Sequence, residues 1–193
     1  ELLKEYIIAI AKISVEDHIN YLDKAYAYFY TVNDEPASEE QFLAAKNVLD
    51  IYNEVLWDAD TELRLQYAGT ADYAYYNETV SKTLLDIPDI LPGSYDIDDA
   101  KKYGLENLTF VPEISYLHTE SDRRYYTEGR EGRELWTYSC VGPVYPYPSG
   151  HTDDYTLGFR LTSWMCFDYG WDGYLMWGVA DYLNLEGGEV VAD

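Results

Sequence analysis

Over the first twenty positions apolar residues recur at three- and four-residue intervals, with Leu3, Ile7, Ile10 and Ile13 on one stripe, and this spacing predicts a helix. The period then changes. Lys24 to Val32 (KAYAYFYTV) is a continuous aromatic-rich run, too short for a helix and closed by Asn33-Asp34-Glu35-Pro36. It reads as a strand buried on both faces, of the kind found in helix-covered parallel sheets. Ser38 stands three residues before Gln41 in a capping-box pattern, and Phe42, Ala45, Leu49, Tyr52 and Leu56 carry a helical stripe to about Trp57. Glu62 to Gln66 (ELRLQ) alternates Leu63 and Leu65 and is a short strand candidate. Glu78 to Leu85 is helical in pattern, and Ile87 to Leu91 is a further strand whose extent Pro88 limits.

From Pro92 to about Ser121 no period holds, which predicts a long excursion of the functional type. A helix near Ser121 to Gly129 leads into the apolar strand Glu134 to Val141. The loop Gly142 to Asp153 follows, then a helix over Asp154 to Tyr169 with Leu157, Leu161, Trp164 and Phe167 on its stripe, and a last strand over Gly173 to Val179. Helices alternating with short strands predict an α/β fold with a parallel sheet. An open doubly wound sheet and part of a (β/α)8 TIM-type barrel both fit.

One observation favours the barrel: polar and aromatic residues gather just past the strands, at Asn33-Asp34-Glu35, Tyr67, the segment after Leu91, the loop after Val141 and Ala180-Asp181-Tyr182. In a barrel those strand ends converge on one mouth. Five strands out of eight place the chain at roughly strands four to eight. Residues 1–193 are then the C-terminal portion of a (β/α)8 domain whose remainder lies upstream of Glu1, so strand edges and apolar surface should be exposed.

Composition narrows the function. The 193 residues carry 13 Lys and Arg against 36 Asp and Glu, a formal charge of -23. That charge repels phosphate backbones and anionic membrane leaflets, so nucleic acid is excluded as a partner. No apolar run approaches the ~20 residues that span a bilayer, and no basic-then-apolar leader opens the chain. Cys140 and Cys166 are too few for a disulfide framework or a zinc site and read as two buried, unbridged thiols, with a single bridge as the alternative.

Asp34-Glu35-Pro36 is the sharpest candidate for chemistry. Adjacent strand residues point to opposite faces, so two neighbouring carboxylates reach one site only where the strand ends and the chain turns, as Pro36 and Ser38 suggest. Carboxylates sharing a site repel, which raises one pKa toward that of a general acid working near neutrality. The alternative is that both acids face the positive N-terminus of the next helix. The 22 Tyr and five Trp offer flat surfaces on which sugar rings stack, with Tyr145, Tyr147 and Tyr182 best placed because they follow strand ends. His18, His118 and His151 show no metal-ligand spacing and read as structural or surface residues, with His151 the exception to watch. Asp96 to Asp99 lacks the spacing of an EF-hand loop and reads as a solvated face.

ELWTYSCVGPVYPYP followed by HTDDYTLGFRLTSWMCFDYGWDGYLMWGVADY resembles the C-terminal barrel half of glycoside hydrolase family 123, also known as domain of unknown function 4091. The residues that carry the resemblance are Trp136, Tyr138, Cys140, Pro143, Pro146, Pro148, Asp154, Arg160, Trp164, Tyr169-Gly170, Asp172-Gly173-Tyr174-Leu175 and Trp177. YFYTVNDEP also looks like that family's fourth barrel strand. One position departs: Gly158 stands where a Glu is common two residues before the Arg, which removes a local ion pair but leaves the carboxylate pair untouched. The resemblance implies a retaining, exo-acting β-N-acetylgalactosaminidase using the substrate's own acetamido group, one of the exceptions to the paired-carboxylate scheme.

It further implies Glu35 as general acid and then base, Asp34 as the residue that orients the acetamido group, and Tyr138 and Trp177, at strand ends seven and eight, as candidates for the acetamido hydrogen bond and the sugar-stacking wall. Asn33, Tyr145, Tyr147, His151 and Tyr182 join them as substrate-binding candidates from their positions in the sequence. Arg160 would be a structural anchor. It implies no metal or organic cofactor, a glycan as partner, further upstream domains, and a secreted, periplasmic or cell-surface location. The competing readings are a non-catalytic glycan-binding barrel domain and the same fold acting on a different sugar.

Overall fold

A computed structural model describes residues 1–29, 34–93, 96–106, 108–130, 132–140, 142–149, 156–176, 184–186 and 189–191. The chain is mixed α/β and divides into two compact units, one of Glu1–Leu91 with Asp98–Leu108 and one of Pro92–Ile97 with Thr109–Asp193.

In the first unit the opening helix Leu2–Asp17 buries Ile7, Ile8, Ala11, Ser14 and Val15. This face is rotated from the expected stripe: Leu3 and Ile13 are exposed. His18 ends the helix in the left-handed region at φ 51. The Ser14 hydroxyl donates to Ile10 O at 2.8 Å and accepts from Tyr21 N–H at 3.1 Å, which binds the following turn to the helix.

The described part of the aromatic run, Lys24 to Phe29, is not a regular strand, and residues 30–32 lie outside the described residues. Tyr21–Lys24 is a 3-10 turn, and among the described residues a parallel bridge joins Ala27 to Asp89. Ala27 N–H donates to Pro88 O at 2.9 Å and Ile90 N–H to Ala27 O at 3.0 Å. With one bridged partner among the described residues, Ala25 to Phe29 are half-buried rather than covered on both faces.

Helix Glu39–Tyr67 starts as the sequence indicates. Ser38 Oγ accepts from Gln41 N–H at 3.3 Å, and Gln41 Oε1 accepts from Ala37 N–H at 2.9 Å, one residue earlier than in a standard capping box. It buries Phe42, Ala45, Leu49, Tyr52, Leu56, Ala59, Leu63 and Tyr67, an unbroken three-four spacing. ELRLQ is therefore helical, not a strand, and Tyr67 is a buried helical residue rather than one past a strand end. Leu63 lies on the buried stripe and Leu65 on the solvent face, so two alternating leucines satisfied both periods and the longer stripe decided.

A polar network closes this unit beside the helical segments Tyr73–Tyr75, Tyr76–Val80 (a π-turn) and Ser81–Leu84. The Asp60 side chain, 3% exposed, accepts from Tyr76 Oη at 2.7 Å and Arg64 Nε at 2.6 Å. Arg64 also donates to Asn77 Oδ1 and to Ser81 Oγ. Burial first, then the Asp60 contact, raises the Tyr76 phenol, while the Asp60 hydrogen bond raises Arg64.

β1 (Ile90–Pro92) carries the chain from the first unit into the second. The span Pro92 to Ser121, expected to lack regular structure, contains the helix Ile97–Lys102, β2 (Thr109–Val111) and the 3-10 turn Ile114–Leu117. β2 is three residues long and buried throughout, so it has neither the length nor the alternation that marks a strand in sequence.

β3 (Trp136–Ser139) and β4 (Gly173–Met176) are parallel, in a register running from Trp136↔Gly173 to Ser139↔Met176. β2 lies on the other side of β3 through the parallel bridges Phe110↔Leu135 and Glu113↔Tyr138. The connections contain the helices Glu120–Gly129, opened by a capping box of Thr119 and Asp122, and Thr156–Tyr169. Among the described residues the parallel strands form short sets and not a closed ring. β5 (Asn184–Glu186) and β6 (Glu189–Val191) pair antiparallel.

Gly173 is fixed by packing. A Cβ there would sit 2.5–2.8 Å from the Trp136 indole, so Gly173→Ala must displace that ring. It is expected to cost about 1–3 kcal/mol, read as a lower urea midpoint at unchanged m. An unchanged midpoint would mean that the ring yields freely.

The stripe of helix Thr156–Tyr169 is not buried: Leu157, Leu161 and Trp164 are exposed and Phe167 is 90% exposed, whereas Thr162 faces inward. Neither Cys140 nor Cys166 is in a disulfide, and both are half-buried rather than buried; burial raises the Cys166 thiol. Among the described residues no helix is long and apolar enough to cross a membrane, and no group of His, Cys, Asp and Glu is arranged to hold a metal ion.

Candidate active site

Asp34 and Glu35 stand in the bend that precedes helix Glu39–Tyr67. Tyr28 Oη donates to Asp34 Oδ1 at 2.6 Å, so the half-buried carboxylate is held by the aromatic segment six residues before it. Glu35, exposed, has φ 49; it and His18 are the non-glycine residues with positive φ among the described residues. A glutamate in the left-handed region costs roughly 1–2 kcal/mol, and such strain persists where the surroundings impose it. Here the buried Pro36 follows, and the left-handed backbone at Glu35 departs from the extended conformation that would send adjacent carboxylates to opposite faces.

The structure bears on the alternative that these acids serve the helix. Ser38 and Gln41 take the N-terminal N–H groups of that helix and its approach, and Glu39 and Glu40 supply the acids of its first turn. Asp34 and Glu35 precede the cap by three residues or more and do not fill it. Asn33 lies outside the described residues.

In the second unit the C-terminal end of the parallel sheet carries Glu113, Ser139 and the loop Gly142 to Ser149. Pro112 O accepts from Thr137 Oγ1 at 2.9 Å and from Tyr138 N–H at 3.3 Å, which fixes the base of Glu113. Glu113 Oε1 accepts from Ser115 Oγ at 3.0 Å and lies 3.9 Å from where a Gly142 Cβ would be. Sequence reasoning missed Glu113 because β2 was not recognised; the available signal was a Pro-Glu pair closing the short apolar run Thr109–Val111.

Tyr138 is buried inside β3 rather than open at its end. Tyr145 is 74% exposed on the loop. Tyr147 is half-buried, its hydroxyl 3.3 Å from His118 Nδ1 and the two rings edge-to-face at 5.7 Å, so His118 enters this cluster. His151, Trp177 and Tyr182 lie outside the described residues. Ser139 Oγ and Tyr174 Oη are hydrogen-bonded, and burial raises the Tyr174 phenol.

The opposite end of the same sheet is a structural lock. Asp172 pairs with Arg130, accepts from Leu135 N–H at 2.9 Å, and donates its own N–H to Leu135 O at 2.7 Å. Arg160 is exposed on its helix. A concavity of about 530 Å3 lies along the exposed face of helix Thr156–Tyr169, but its lining, from Leu161 to Tyr169, comes from that one helix and holds a single carboxylate, Asp168.

Among protein families, residues 1–186 match the one described as Glycoside hydrolase 123, catalytic domain. No curated protein matches the chain.

Proposed function

The chain belongs to the glycoside hydrolase 123 catalytic-domain family, and from that premise we propose that it releases terminal β-linked N-acetylgalactosamine, or a related N-acetylhexosamine, with retention and with the substrate's acetamido group as nucleophile. The observation that carries the reading is the Asp34-Glu35 pair: Asp34 tied to Tyr28, Glu35 held at positive φ, and the helix cap filled by other residues.

Each group has a definite task. A carboxylate offers about four lone-pair directions, so Asp34 can accept the acetamido N–H while Oδ1 stays with Tyr28. That contact turns the acetamido oxygen toward the anomeric carbon and stabilises the positive charge that develops on the oxazolinium ring. Glu35 protonates the departing glycosidic oxygen as the acetamido oxygen attacks. As carboxylate it then takes a proton from the water that opens the ring, returning the anomeric centre to its starting configuration.

Substrate assistance is tested with aryl glycosides whose N-acetyl group carries one, two and three fluorines. Each fluorine weakens the acetamido oxygen as a nucleophile, so kcat/KM should fall steadily, by about tenfold or more across the series, equivalent to ~1.4 kcal/mol of lost assistance. A flat series, or equal turnover of a substrate with a 2-hydroxyl in place of the acetamido group, overturns this mechanism.

A further inference from the structure

Beside the end of β2, the 3-10 turn Ile114–Leu117 and the first turns of helix Glu120–Gly129 border an open concavity of about 360 Å3 lined by Ser115, Tyr116, Asp122, Tyr125 and Tyr126. Its volume falls in the range of roughly 300–1,000 Å3 typical of small-molecule sites. Two of its rings present open faces: Tyr116 is 48% exposed and Tyr125 39%. The Tyr125 hydroxyl is bonded to Asp96, and Tyr125 stands edge-to-face on the buried Tyr126 at 5.4 Å and 78°, so the wall is braced in the absence of ligand. Ser115, on the rim, is the residue bonded to Glu113.

Charge decides what such a surface accepts. Its acidic neighbours are Asp96, Asp122 and Glu113, and the Thr119 hydroxyl and N–H, followed by the nearby His118 and Arg123, hold the Asp122 carboxyl below the usual carboxylate range. No Lys or Arg is among the described lining residues. The nearest guanidinium in sequence, Arg123, is turned to Leu117 O at 3.0 Å, His118 O at 2.9 Å and the Tyr169 ring at 4.3 Å, and Arg124 pairs with Glu128. Rigid aromatic faces bordered by hydrogen-bonding groups take the apolar face of a pyranose and its hydroxyls. Three carboxylates against one guanidinium already engaged elsewhere leave an anionic sugar facing an excess of like charge.

We propose that this concavity, whose lining includes neither Asp34 nor Glu35, is a saccharide subsite specific for uncharged sugars of the glycan chain. It rests on the carbohydrate-active reading above and adds a position and a charge preference that the family assignment does not contain.

The test is an array of neutral, sialylated and sulfated oligosaccharides probed with the full-length protein. Binding to neutral chains is expected, with sialylated or sulfated versions of the same chain bound more weakly. The Tyr116→Ala/Tyr125→Ala variant should lose about tenfold or more of that signal, as expected for removal of two aromatic platforms, and Tyr116→Phe should keep it. Tyr116→Ala alone, at a half-exposed ring, serves if circular dichroism shows the double variant unfolded. Absence of binding to any neutral chain, undiminished binding by the alanine variants, or equal binding of anionic chains overturns the proposal. Aryl-glycoside hydrolysis by the wild-type protein, measured alongside, reports separately on the reading of Asp34 and Glu35.

Discussion

Glu35→Gln in the full-length protein is expected to lower kcat on aryl N-acetyl-β-galactosaminide by about 10²–10⁴-fold, the usual worth of a positioned general acid and base. The amide keeps the size of the side chain and its left-handed backbone but can neither protonate the glycosidic oxygen nor accept a proton from water. The deficit should depend on the leaving group. A dinitrophenyl glycoside needs little protonation, so it should lose least in the first step, whereas a simple alkyl glycoside should lose most. Azide should restore turnover of the activated substrate in Glu35→Ala, because an anionic nucleophile opens the oxazoline without a base. Hydrolysis by Glu35→Gln within a few fold of wild type on all leaving groups would remove Glu35 from the reaction.

The second large effect concerns stability. Asp60→Ala is expected to destabilise the first unit by about 3 kcal/mol, the lower end of what breaking a buried ion pair costs, because Arg64 keeps partial access to water. The substitution removes the acceptor of Arg64 Nε and the 2.7 Å acceptor of the fully buried Tyr76 hydroxyl, leaving it the weaker contact to Asp60 O at 3.2 Å and its bond with Ser81. Arg64 in turn holds Asn77 and Ser81, so the π-turn Tyr76–Val80 should lose its anchor. Amide hydrogen exchange should show lost protection over Tyr76 to Leu84, with a lower urea midpoint. Asp60→Asn, which keeps an acceptor for Tyr76 but not the charge, should fall between. A cost under about 1 kcal/mol for Asp60→Ala would show that the network contributes little beyond local packing.

Elements long enough to show a period were legible in the sequence. The helix begun at Ser38 could be located because a capping residue and a three-four stripe agree, and the alternation of helices with buried strands indicated parallel α/β structure. The Asp34-Glu35-Pro36 bend was legible for the same kind of reason: an apolar run stops, two acids follow, and a proline precedes the capping serine. Short elements were not. Three buried residues such as Thr109–Val111 have no period to read, and Leu63 with Leu65 fits two periods equally.

The sequence by itself determined the chemistry available: an excess of carboxylates that repels polyanions, tyrosines in number, and one acidic pair at a strand end whose motif context matches a glycosidase family. Tertiary structure decided how those groups are held. It tied Asp34 to Tyr28, set Glu35 in the left-handed region, put Tyr138 inside a strand, and brought Glu113, Ser115 and the tyrosines around Tyr126 to the end of β2. The physical reason is range. Period, caps and charge are local properties of the chain, whereas a site depends on burial and on hydrogen bonds such as Thr137 to Pro112 that close over many residues, and no local pattern encodes those.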